Sequence, residues 1–428
     1  MMGRSFAGKF LLAIGCVGLS ALNVFAQPAG SFSVMNWNLL NWPNTSDLVN
    51  DTTTRLPYYR TVVEYADPDI LVTEENQTSY STTWFLNSVM NLRRPGVYRQ
   101  GNYIQGPDSN NGIFYKDSLF RFVSNVPIET TLRDINVFTL VFKPTGDTLR
   151  VYAVHLKAST GVTNEAQRAQ EVDSLRRRTD LLPAGTDFLV CGDFNIYGDY
   201  EAAYQKLIVD RPVDDGNVVD VLNLTGIWND PAYAPFHTQS TRLNAVGGGS
   251  NGGMDDRFDM ILMSNALVQA GELYYLPGTY EAIGNDGNHF NESINYGTNT
   301  AVPATVADAL YGASDHLPVI VRIQSGTSPG INEPELPITA FRVFPNPTNS
   351  YFQLEGDLRD PVGEVFLHLY DLQGRSIFSE DLNRMPSGYF RIERAVRDGL
   401  EPGRRPGAYL LTLSARNWLK GSVLIVSW

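Results

Sequence analysis

Residues 188–195 read Phe-Leu-Val-Cys-Gly-Asp-Phe-Asn, an apolar run that ends in an acid and an amide two positions apart. A short apolar run of this kind predicts a buried strand. Side chains alternate along a strand, so the spacing places Asp193 and Asn195 on the same side. Chemically active groups at the end of a buried strand indicate a site at the edge of a sheet.

Five more segments between residues 33 and 321 place polar or ionisable residues at the end of an apolar stretch. In the segment 149–155, His155 shares one face with Leu149, Val151 and Ala153. The other polar residues are Asn38 after 33–37, Glu75 after 69–74, Asp259 in 257–262, and Asp315 and His316 in 314–321. Each segment alone is consistent with an ordinary turn or a buried structural residue. The six together predict one catalytic site.

The chemistry that suits these residues is the hydrolysis of a phosphate ester. Mg²⁺ prefers one or two carboxylates and keeps several waters, and Mn²⁺ and Ca²⁺ are alternatives. Glu75 is the predicted ligand, and Asn38 and Asp315 assist it directly or through water. The ion would polarise a phosphate oxygen.

The remaining residues have predicted roles in moving the proton. Asp193 or His316 is the base for a water that Asn195 orients, and Asp259 fixes the tautomer of His316. His155 either contacts the phosphate or protonates the leaving oxygen. Arg168, in a predicted helix over 165–178, is a candidate for substrate binding, and its alternative is a solvated helix face.

These motifs, in this order, resemble the endonuclease/exonuclease/phosphatase superfamily over about residues 30–323. The resemblance implies a four-layer α/β/β/α sandwich, an α+β fold, with a divalent-metal-dependent site at one edge of its two sheets. It also implies that Glu75 binds metal, that the 192–195 segment positions water, and that His316 pairs with Asp259. A histidine at 155 is similar to the deoxyribonuclease and sphingomyelinase branches.

The chain divides into four predicted regions. Residues 1–26 combine Arg4 and Lys9, an apolar stretch and a small-residue cleavage site, which predicts a signal peptide. The catalytic domain follows over 27–323 and a Pro- and Gly-rich linker over 324–337. Residues 338–428 contain short strands separated by turns, which predicts a small C-terminal β-sandwich.

The motifs of this last region resemble the C-terminal sorting domain of the type IX secretion system. They are Phe341-Arg-Val-Phe-Pro-Asn-Pro-Thr-Asn, Leu369-Tyr-Asp-Leu-Gln-Gly-Arg, Gly407-Ala-Tyr-Leu-Leu-Thr-Leu and Lys420-Gly-Ser-Val-Leu-Ile-Val. The resemblance implies the type IX machinery as a partner and export through the periplasm and across the outer membrane. The expected location is the cell surface or the medium, and an ordinary accessory sandwich is the alternative. No apolar run of about 18 residues follows position 30, so no transmembrane segment is predicted.

Charge limits the kind of substrate that the protein binds. Residues 27–336 hold 20 Lys and Arg against 36 Asp and Glu. Tight binding of nucleic acid by counterion release needs basic surface, which this region lacks over most of its extent. A polyanionic substrate therefore requires a local basic strip or a bound cation.

Three functions follow from the sequence. The first is a secreted, metal-dependent phosphodiesterase, an endonuclease acting on extracellular nucleic acid. The second is a sphingomyelinase-like phospholipase C or a phosphatase of the same fold. The third is a non-catalytic surface protein. The competent residues at all six positions favour an enzyme, but they do not distinguish DNA, RNA, lipid and small phosphoesters. The segment 284–291, rich in Gly and Asn and part of an insertion over 284–312, is a plain loop, a cation loop or a substrate lid.

Overall fold

A computed structural model describes residues 30–43, 52–210, 215–244, 248–269, 271–326, 338–359, 361–370, 376–395, 407–415 and 418–426. The predicted signal peptide, residues 1–26, lies outside the described residues, as do residues 327–337 of the predicted linker.

The elements of the larger domain are numbered in chain order. The strands are β1 (Ser31–Trp42), β2 (Ile70–Asn76), β3 (Tyr98–Gln100), β4 (Asn110–Lys116), β5 (Phe120–Ile128), β6 (Ile135–Phe142), β7 (Thr148–His155), β8 (Phe188–Asp193), β9 (Val218–Val219), β10 (Asp259–Ser264), β11 (Leu273–Tyr275), β12 (Glu281–Ala282) and β13 (Val319–Ser325). The α-helices are α1 (Thr52–Ala66), α2 (Ser79–Phe85), α3 (Val162–Thr179), α4 (Ala202–Ile208), α5 (Asn265–Val268) and α6 (Ala304–Ala313). A π-helical turn (Leu86–Met90) follows α2, and a 3₁₀-helix (Pro231–Phe236) precedes β10.

The strands of this domain form two sheets. In the first sheet the order is β11-β13-β1-β2-β4-β3, with β12 paired to β13. In the second sheet the order is β5-β6-β7-β8-β10-β9. The neighbours β1 and β2 are parallel, as are β7 and β8. By contrast, β13 runs antiparallel to β1, and β10 runs antiparallel to β8.

Three layers of buried apolar side chains hold the domain together. The facing sides of the two sheets meet in a core that includes Val34 and Val72 from one sheet and Val151 and Leu189 from the other. Helices α1, α2 and α6 cover the outer face of the first sheet, and α3 and α4 cover that of the second. The order of layers is therefore helix, sheet, sheet, helix. This confirms the predicted four-layer α/β/β/α sandwich.

The C-terminal region is a second, smaller β-sandwich. Its strands are β14 (Ile338–Phe344), β15 (Tyr351–Leu358), β16 (Val362–Tyr370), β17 (Ser376–Met385), β18 (Gly388–Ala395), β19 (Gly407–Ala415) and β20 (Trp418–Val426). One sheet has the order β14-β15-β18 and the other β17-β16-β19-β20. Leu354 of the first and Leu367 and Leu411 of the second share one core. The predicted β-sandwich is confirmed, and the structure adds β17 and β18 to the strands predicted from sequence.

Two further features of the described residues concern membrane crossing and the thiol of Cys191. Among the described residues, no helix combines the length and apolar character needed to cross a bilayer. Cys191 is a free, buried thiol in the middle of β8.

Candidate active site

Strand direction explains why the predicted site residues meet. The carboxyl ends of the parallel pairs β1–β2 and β7–β8 lie at one edge of the sandwich, where Glu75, His155 and Asp193 stand. The antiparallel strands β10 and β13 begin at that same edge, so Asp259 and His316 enter the site from the start of a strand. In register, Asp193 lies beside His155 on one side and Asp259 on the other.

A pocket of about 270 Å³ opens at this edge. Of the predicted residues, Glu75, His155, Asp193, Asn195, Asp315 and His316 line it. Asn38 and Asp259 lie behind these residues and bond to them. The other residues that line the pocket are Leu40, Asn41, Arg133, Ala158, Ser159, Tyr197, Gln239, Gly249, Ser250 and Phe258. Depressions of about 440 and 550 Å³ beside α3 are larger. They hold none of the predicted groups, so chemistry rather than size identifies the site.

His316 is fixed by a buried carboxylate. Its Nδ1 lies 2.7 Å from Asp259 Oδ2, and its Nε2 lies 2.5 Å from the Gln239 amide and 3.8 Å from Asp193 Oδ2. Burial opposes a charge on the ring, yet the carboxylates of Asp259, Asp315 and Asp193 raise the pKa of His316 well above its ordinary value. The pairing with Asp259 is the one that the sequence predicted.

Asp193 is the centre of the site. Its Oδ2 lies 3.4 Å from His155 Nε2 and 3.2 Å from Asn38 Nδ2, and its Oδ1 accepts from the Asn195 N–H at 3.1 Å. Burial raises the pKa of Asp193 to about 7, an effect that His316 opposes and that Asp259 and Glu75 reinforce. His155 differs from His316, because burial and the Arg133 charge hold its pKa well below the ordinary value.

Glu75 enters the pocket from a left-handed backbone position, with φ of +59°. Its Oε2 accepts from the Asn41 N–H at 2.6 Å, and its Oε1 accepts from Asn38 Nδ2 at 3.0 Å. Burial and the nearby Asp315 raise the pKa of this carboxyl. The carboxylate therefore lies in an acidic setting that a cation would neutralise.

Asn38 lies between two carboxylates of the site. Its amide nitrogen donates to both Glu75 and Asp193, while its oxygen accepts from the Leu40 N–H at 2.9 Å. An amide oxygen has two lone pairs, so the bond from Leu40 leaves one of them for a cation or a water. Asn38 therefore bridges two carboxylates through its nitrogen, and its direct or water-mediated ligation of a metal stays a prediction.

The other two predicted groups complete the wall of the pocket. Asp315 Oδ2 accepts from the Ser250 N–H at 2.6 Å, whereas its buried Oδ1 has no hydrogen-bond partner. Asn195 has φ of +51°, and its amide nitrogen donates to the Leu156 carbonyl at 3.3 Å. Both side chains reach the pocket.

The substrate-binding role predicted for Arg168 is wrong. Its side chain is fully buried on α3 and forms a two-point ion pair with Glu201, at 2.8 and 3.0 Å. Its Nη1 donates to the carbonyls of Lys157 and Ser159. The solvated alternative is wrong for the same reason. Arg168 supports the loop after His155 and has no path to a substrate.

Arg133 is a pocket residue that sequence reasoning missed. Of the described residues that line the pocket, it is the sole arginine or lysine. Its Nε donates to Asp108 at 3.0 Å, and its Nη1 donates to the Leu156 carbonyl at 3.2 Å. The sequence feature that could have identified Arg133 is its position two residues before β6, the strand that pairs with β7, which ends in His155. That position is informative only once the strand order is known.

Gln239 and Glu74 were also missed. Gln239 contacts His316 from a segment with no apolar strand to mark it. Glu74 is fully buried next to Glu75, accepts from Asn36 Nδ2 at 3.3 Å, and has a pKa that burial, with Asp259 and Asp193, raises well above the ordinary value. Two successive acids at a strand end were visible in the sequence, and of these Glu75, the predicted ligand, lines the pocket whereas Glu74 does not.

The donor set agrees with a hard cation. In the described part of the chain, no three His, Cys, Asp or Glu side chains are arranged as a ready-made metal site. Magnesium nonetheless needs one or two carboxylates, because waters and substrate oxygens complete its shell. Glu75 and Asp315 both line the pocket, and Asp315 presents a buried oxygen without a partner. These two residues fit such an ion.

The segment 284–291 contributes no residue to the lining of this pocket. His289 bonds through one nitrogen to Asp286 at 2.8 Å and through the other to the Tyr296 carbonyl at 2.9 Å. The second oxygen of Asp286 accepts from Thr300. These commitments stabilise a loop, and they leave neither side chain free to bind a cation.

The family model described as "Endonuclease/Exonuclease/phosphatase family" matches residues 35–316. No match was found among curated proteins.

Among solved structures, three similar ones come from a bacterium, a fish and a human. The chain is similar to an endonuclease/exonuclease/phosphatase family protein from Bacteroides thetaiotaomicron, with 17% identity over 69% of this chain and 98% of that one and a TM-score of 0.45. It is similar to D. rerio TDP2 complexed with single strand DNA product, with 15% identity, coverage of 69% and 99%, and a TM-score of 0.44. It is also similar to the human Nocturnin catalytic domain with bound sulfate anion, with 17% identity, coverage of 69% and 95%, and a TM-score of 0.42.

Proposed function

The chain belongs to the endonuclease/exonuclease/phosphatase family, and on that premise we propose that it is a secreted, divalent-metal-dependent phosphodiester hydrolase acting on extracellular nucleic acid. One observation carries the proposal. A buried His–Asp pair, a second histidine beside a carboxylate, and a metal-competent glutamate all meet in one pocket. A protein that kept the fold for a structural purpose alone would have no need to retain this set.

Glu75 and Asp315 would hold the ion. When bound, a divalent cation would polarise a non-bridging phosphate oxygen and offset the charge of the site's carboxylates. Asn38 keeps Glu75 and Asp193 at a fixed separation, because one amide nitrogen donates to both. The bridge limits the mutual repulsion of the two carboxylates before any substrate arrives.

Asp193 is the proposed base for the attacking water. Its carboxylate is held from two sides, by Asn38 Nδ2 and by the Asn195 N–H. A base must be positioned before it can accept a proton from water at hydrogen-bond distance. Asn195, which lines the same pocket, would orient that water.

His316 and His155 face the substrate from either side of Asp193. The bond from His316 Nδ1 to Asp259 turns Nε2 toward the pocket, where it now bonds to the Gln239 amide at 2.5 Å. A phosphate oxygen or the leaving oxygen would replace that amide as the partner of Nε2. His155 lies 3.4 Å from Asp193 and 4.0 Å from Glu75, so it also meets the reacting phosphate. Arg133 supplies the fixed positive charge on this wall.

A substrate panel tests the activity. The mature chain, residues 27–428, is assayed on duplex DNA, RNA, sphingomyelin and bis-p-nitrophenyl phosphate, each with Mg²⁺, with Ca²⁺ and with chelator. We expect cleavage of nucleic acid with Mg²⁺ and none with chelator. Glu75→Ala should abolish it, while Glu64→Ala, on the exposed side of α1 in a surface ion pair with Arg93, should not. Full activity in chelator would contradict the metal requirement, and cleavage of sphingomyelin alone would contradict the substrate class.

We propose in addition that residues 338–428 direct export through the type IX machinery. The support is the sequence resemblance of this region together with its own hydrophobic core, separate from those of the catalytic domain. In a bacterium that has this secretion system, removal of residues 338–428 should retain the enzyme inside the cell. Unchanged release of the shortened protein into the medium would show that the sandwich has another role.

A further inference from the structure

Segment 238–241 bonds to both of the segments that carry His316 and Asp259. It runs antiparallel to residues 314–317, with a bridge between Gln239 and His316. Residues 314–317 lead into β13 of the first sheet, whereas Asp259 begins β10 of the second. The His316–Asp259 pair is therefore assembled from two different sheets. Its geometry depends on the contacts that fix these two segments relative to each other.

Thr238 makes the contact with the start of β10. Its Oγ1 accepts two backbone hydrogen bonds, from the Phe258 N–H at 3.1 Å and from the Asp259 N–H at 3.0 Å. Its carbonyl accepts from the Leu317 N–H at 2.7 Å, one residue after His316. The side chain of Thr238 is buried, so bulk water does not compete for these bonds. One residue thus holds the Asp259 backbone with its hydroxyl and the chain beside His316 with its carbonyl.

The hydroxyl of Thr238 takes the place of a neighbouring strand at this end of β10. On the side of β10 away from β8, the next strand is β9, which pairs with β10 only at Met263 and Ser264. Phe258 and Asp259 are both buried, and within the described chain their N–H groups bond to Thr238 Oγ1. A buried N–H without an acceptor is costly. Loss of the hydroxyl would therefore force the start of β10 to move.

We infer that the Thr238 hydroxyl sets the position of the Asp259 carboxylate against His316, which makes Thr238 a positioning residue for the reaction. Asp259 Oδ2 lies 2.7 Å from His316 Nδ1, and a small shift of the β10 backbone would break this contact. Thr238 is not one of the residues that line the pocket, so it acts on the histidine through Asp259. The effect on turnover rests on the proposed function, whereas the effect on the His316 ring does not.

Nuclear magnetic resonance of the His316 ring tests the inference without substrate or metal. The mature chain is labelled with ¹⁵N-histidine, and the His316 signals are identified by their loss in His316→Ala. In the unmodified protein we expect a strongly downfield, slowly exchanging Nδ1–H proton, because the Asp259 carboxylate accepts from it. Thr238→Val, which keeps the shape and removes the hydroxyl, should broaden or abolish this signal. Thr238→Ser, which keeps the acceptor, should retain it.

Steady-state kinetics separates positioning from a general loss of stability. Thr238→Val should lower kcat by about 10–100-fold on the best substrate with KM nearly unchanged, because a small misplacement of a catalytic group has an effect of this size. Thr238→Ser should restore kcat. The matched control is Thr179→Val, a buried threonine at the end of α3 whose hydroxyl donates to the Arg176 carbonyl. This control should keep both kcat and the Nδ1–H signal of His316.

The ring signal and the kinetics separate this inference from the proposed function. Retention of the Nδ1–H signal in Thr238→Val, or its absence from the unmodified protein, would overturn the inference at any level of activity. Loss of the signal with unchanged kcat would support the positioning of Asp259 and contradict the role proposed for His316. If the unmodified protein cleaves no phosphodiester, the proposed function fails and the ring signal still decides the inference.

A second variant covers the case in which Thr238→Val does not fold. Thr238→Cys keeps a side chain of similar size, and its sulfur is a weak acceptor. It should weaken the Nδ1–H signal of His316 without abolishing it. An unchanged signal in the folded Thr238→Cys protein would overturn the inference.

Discussion

At the scale of single residues, the two pocket histidines have different electrostatic settings. His316 is paired with Asp259 and surrounded by carboxylates, whereas His155 is buried beside Arg133. Replacement of either by Ala should lower kcat by roughly 10²–10⁴-fold with no loss of folded protein. Asp259→Asn should have a milder effect, since the ring of His316 stays in place. Steady-state kinetics on the best substrate gives the measurement.

The control for the histidine variants is His368→Ala, in the C-terminal sandwich. His368 lies on β16 between Phe366 and Tyr370, away from the pocket. Its removal should not change kcat. Turnover within threefold of the unmodified enzyme for both His155→Ala and His316→Ala would contradict the roles proposed for them.

Arg133 and Arg168 form a second pair of contrasting residues. Arg133→Gln removes the fixed charge that lines the pocket, so KM for a phosphodiester should rise about tenfold or more, with stability nearly unchanged. Arg168→Gln breaks a fully buried ion pair with Glu201 and should cost about 3–5 kcal/mol of unfolding free energy. Urea denaturation and steady-state kinetics on both variants check the contrast. If Arg168→Gln raised KM and left stability unchanged, Arg168 would contact the substrate, contrary to its buried position in the structure.

These two arginines also show what the sequence could not reveal. Arg168 lies thirteen residues after His155 in an amphipathic segment, so its position along the chain places it near the site. Which side of the helix it occupies depends on Glu201, an acid that no local pattern connects to it. Arg133 is identified only by the order of β6 and β7 in the sheet. Residues at strand ends were predictable because the strands are apolar, whereas loop residues were not.

At the scale of elements, most of the strands that carry site residues were predictable from the sequence. The directions of two of these strands were not. The apolar runs before His155 and Asp193 predict β7 and β8 with nearly correct ends. That β10 and β13 run antiparallel to their neighbours, so that their first residues reach the site, follows from pairing between distant segments. In the tail, β17 and β18 were missed because they are edge strands with mostly exposed or half-exposed side chains. An edge strand needs no apolar run to be stable.

The edge of the sandwich opposite the pocket carries a cluster of acids. Asp187, just before β8, lies near Asp147 in the β6–β7 turn and Glu272 before β11. Burial, reinforced by these two charges, raises the pKa of Asp187 to about 7. The folded protein then binds a proton that the unfolded chain has lost above about pH 4. Stability should therefore fall as pH rises from about 4 to 7, with no further loss from this group above that range.

Asp187→Asn removes this titration. The variant should be more stable than the unmodified protein at pH 8 by about 1 kcal/mol or more, because it no longer forces a charge into a partly buried acidic cluster. At pH 4 the two should melt together. Thermal unfolding across this pH range gives the comparison. A variant that is less stable at pH 8 would mean that the charged form of Asp187 has a stabilising partner.

At the scale of the whole molecule, the negative charge of the catalytic domain sets how substrate binding responds to salt. Residues 27–336 have 16 more acids than bases, and of the described residues lining the pocket only Arg133 is a permanent cation. Few phosphates can therefore be neutralised by the protein. The log–log dependence of KM on salt should be shallow, and Arg133→Gln should reduce its slope by about 1. A slope of about −6 or steeper would reveal a basic groove elsewhere on the domain.

The catalytic domain and the C-terminal β-sandwich have separate hydrophobic cores. The β-sandwich has its own core, and none of its described residues lines the catalytic pocket. Hydrogen bonds across the boundary include those from the Thr225 hydroxyl, at 2.5 Å, and the Tyr233 hydroxyl, at 3.5 Å, to the Asn346 carbonyl. The exposed Thr225 bond contributes little, because water replaces it when the partner is removed. The buried Tyr233 hydroxyl keeps its bond to the Thr225 carbonyl without the sandwich.

A chain of residues 27–325 should therefore fold and keep its specific activity. Its melting temperature should match that of the catalytic transition in the longer protein, and its kcat and KM should be unchanged on the best substrate. Both are read from calorimetry and steady-state kinetics on proteins prepared side by side. A shortened chain that unfolds would show that the domains share stabilising contacts, and the boundary after β13 would then be misplaced. A folded chain with altered KM would instead assign the sandwich a part in holding the substrate.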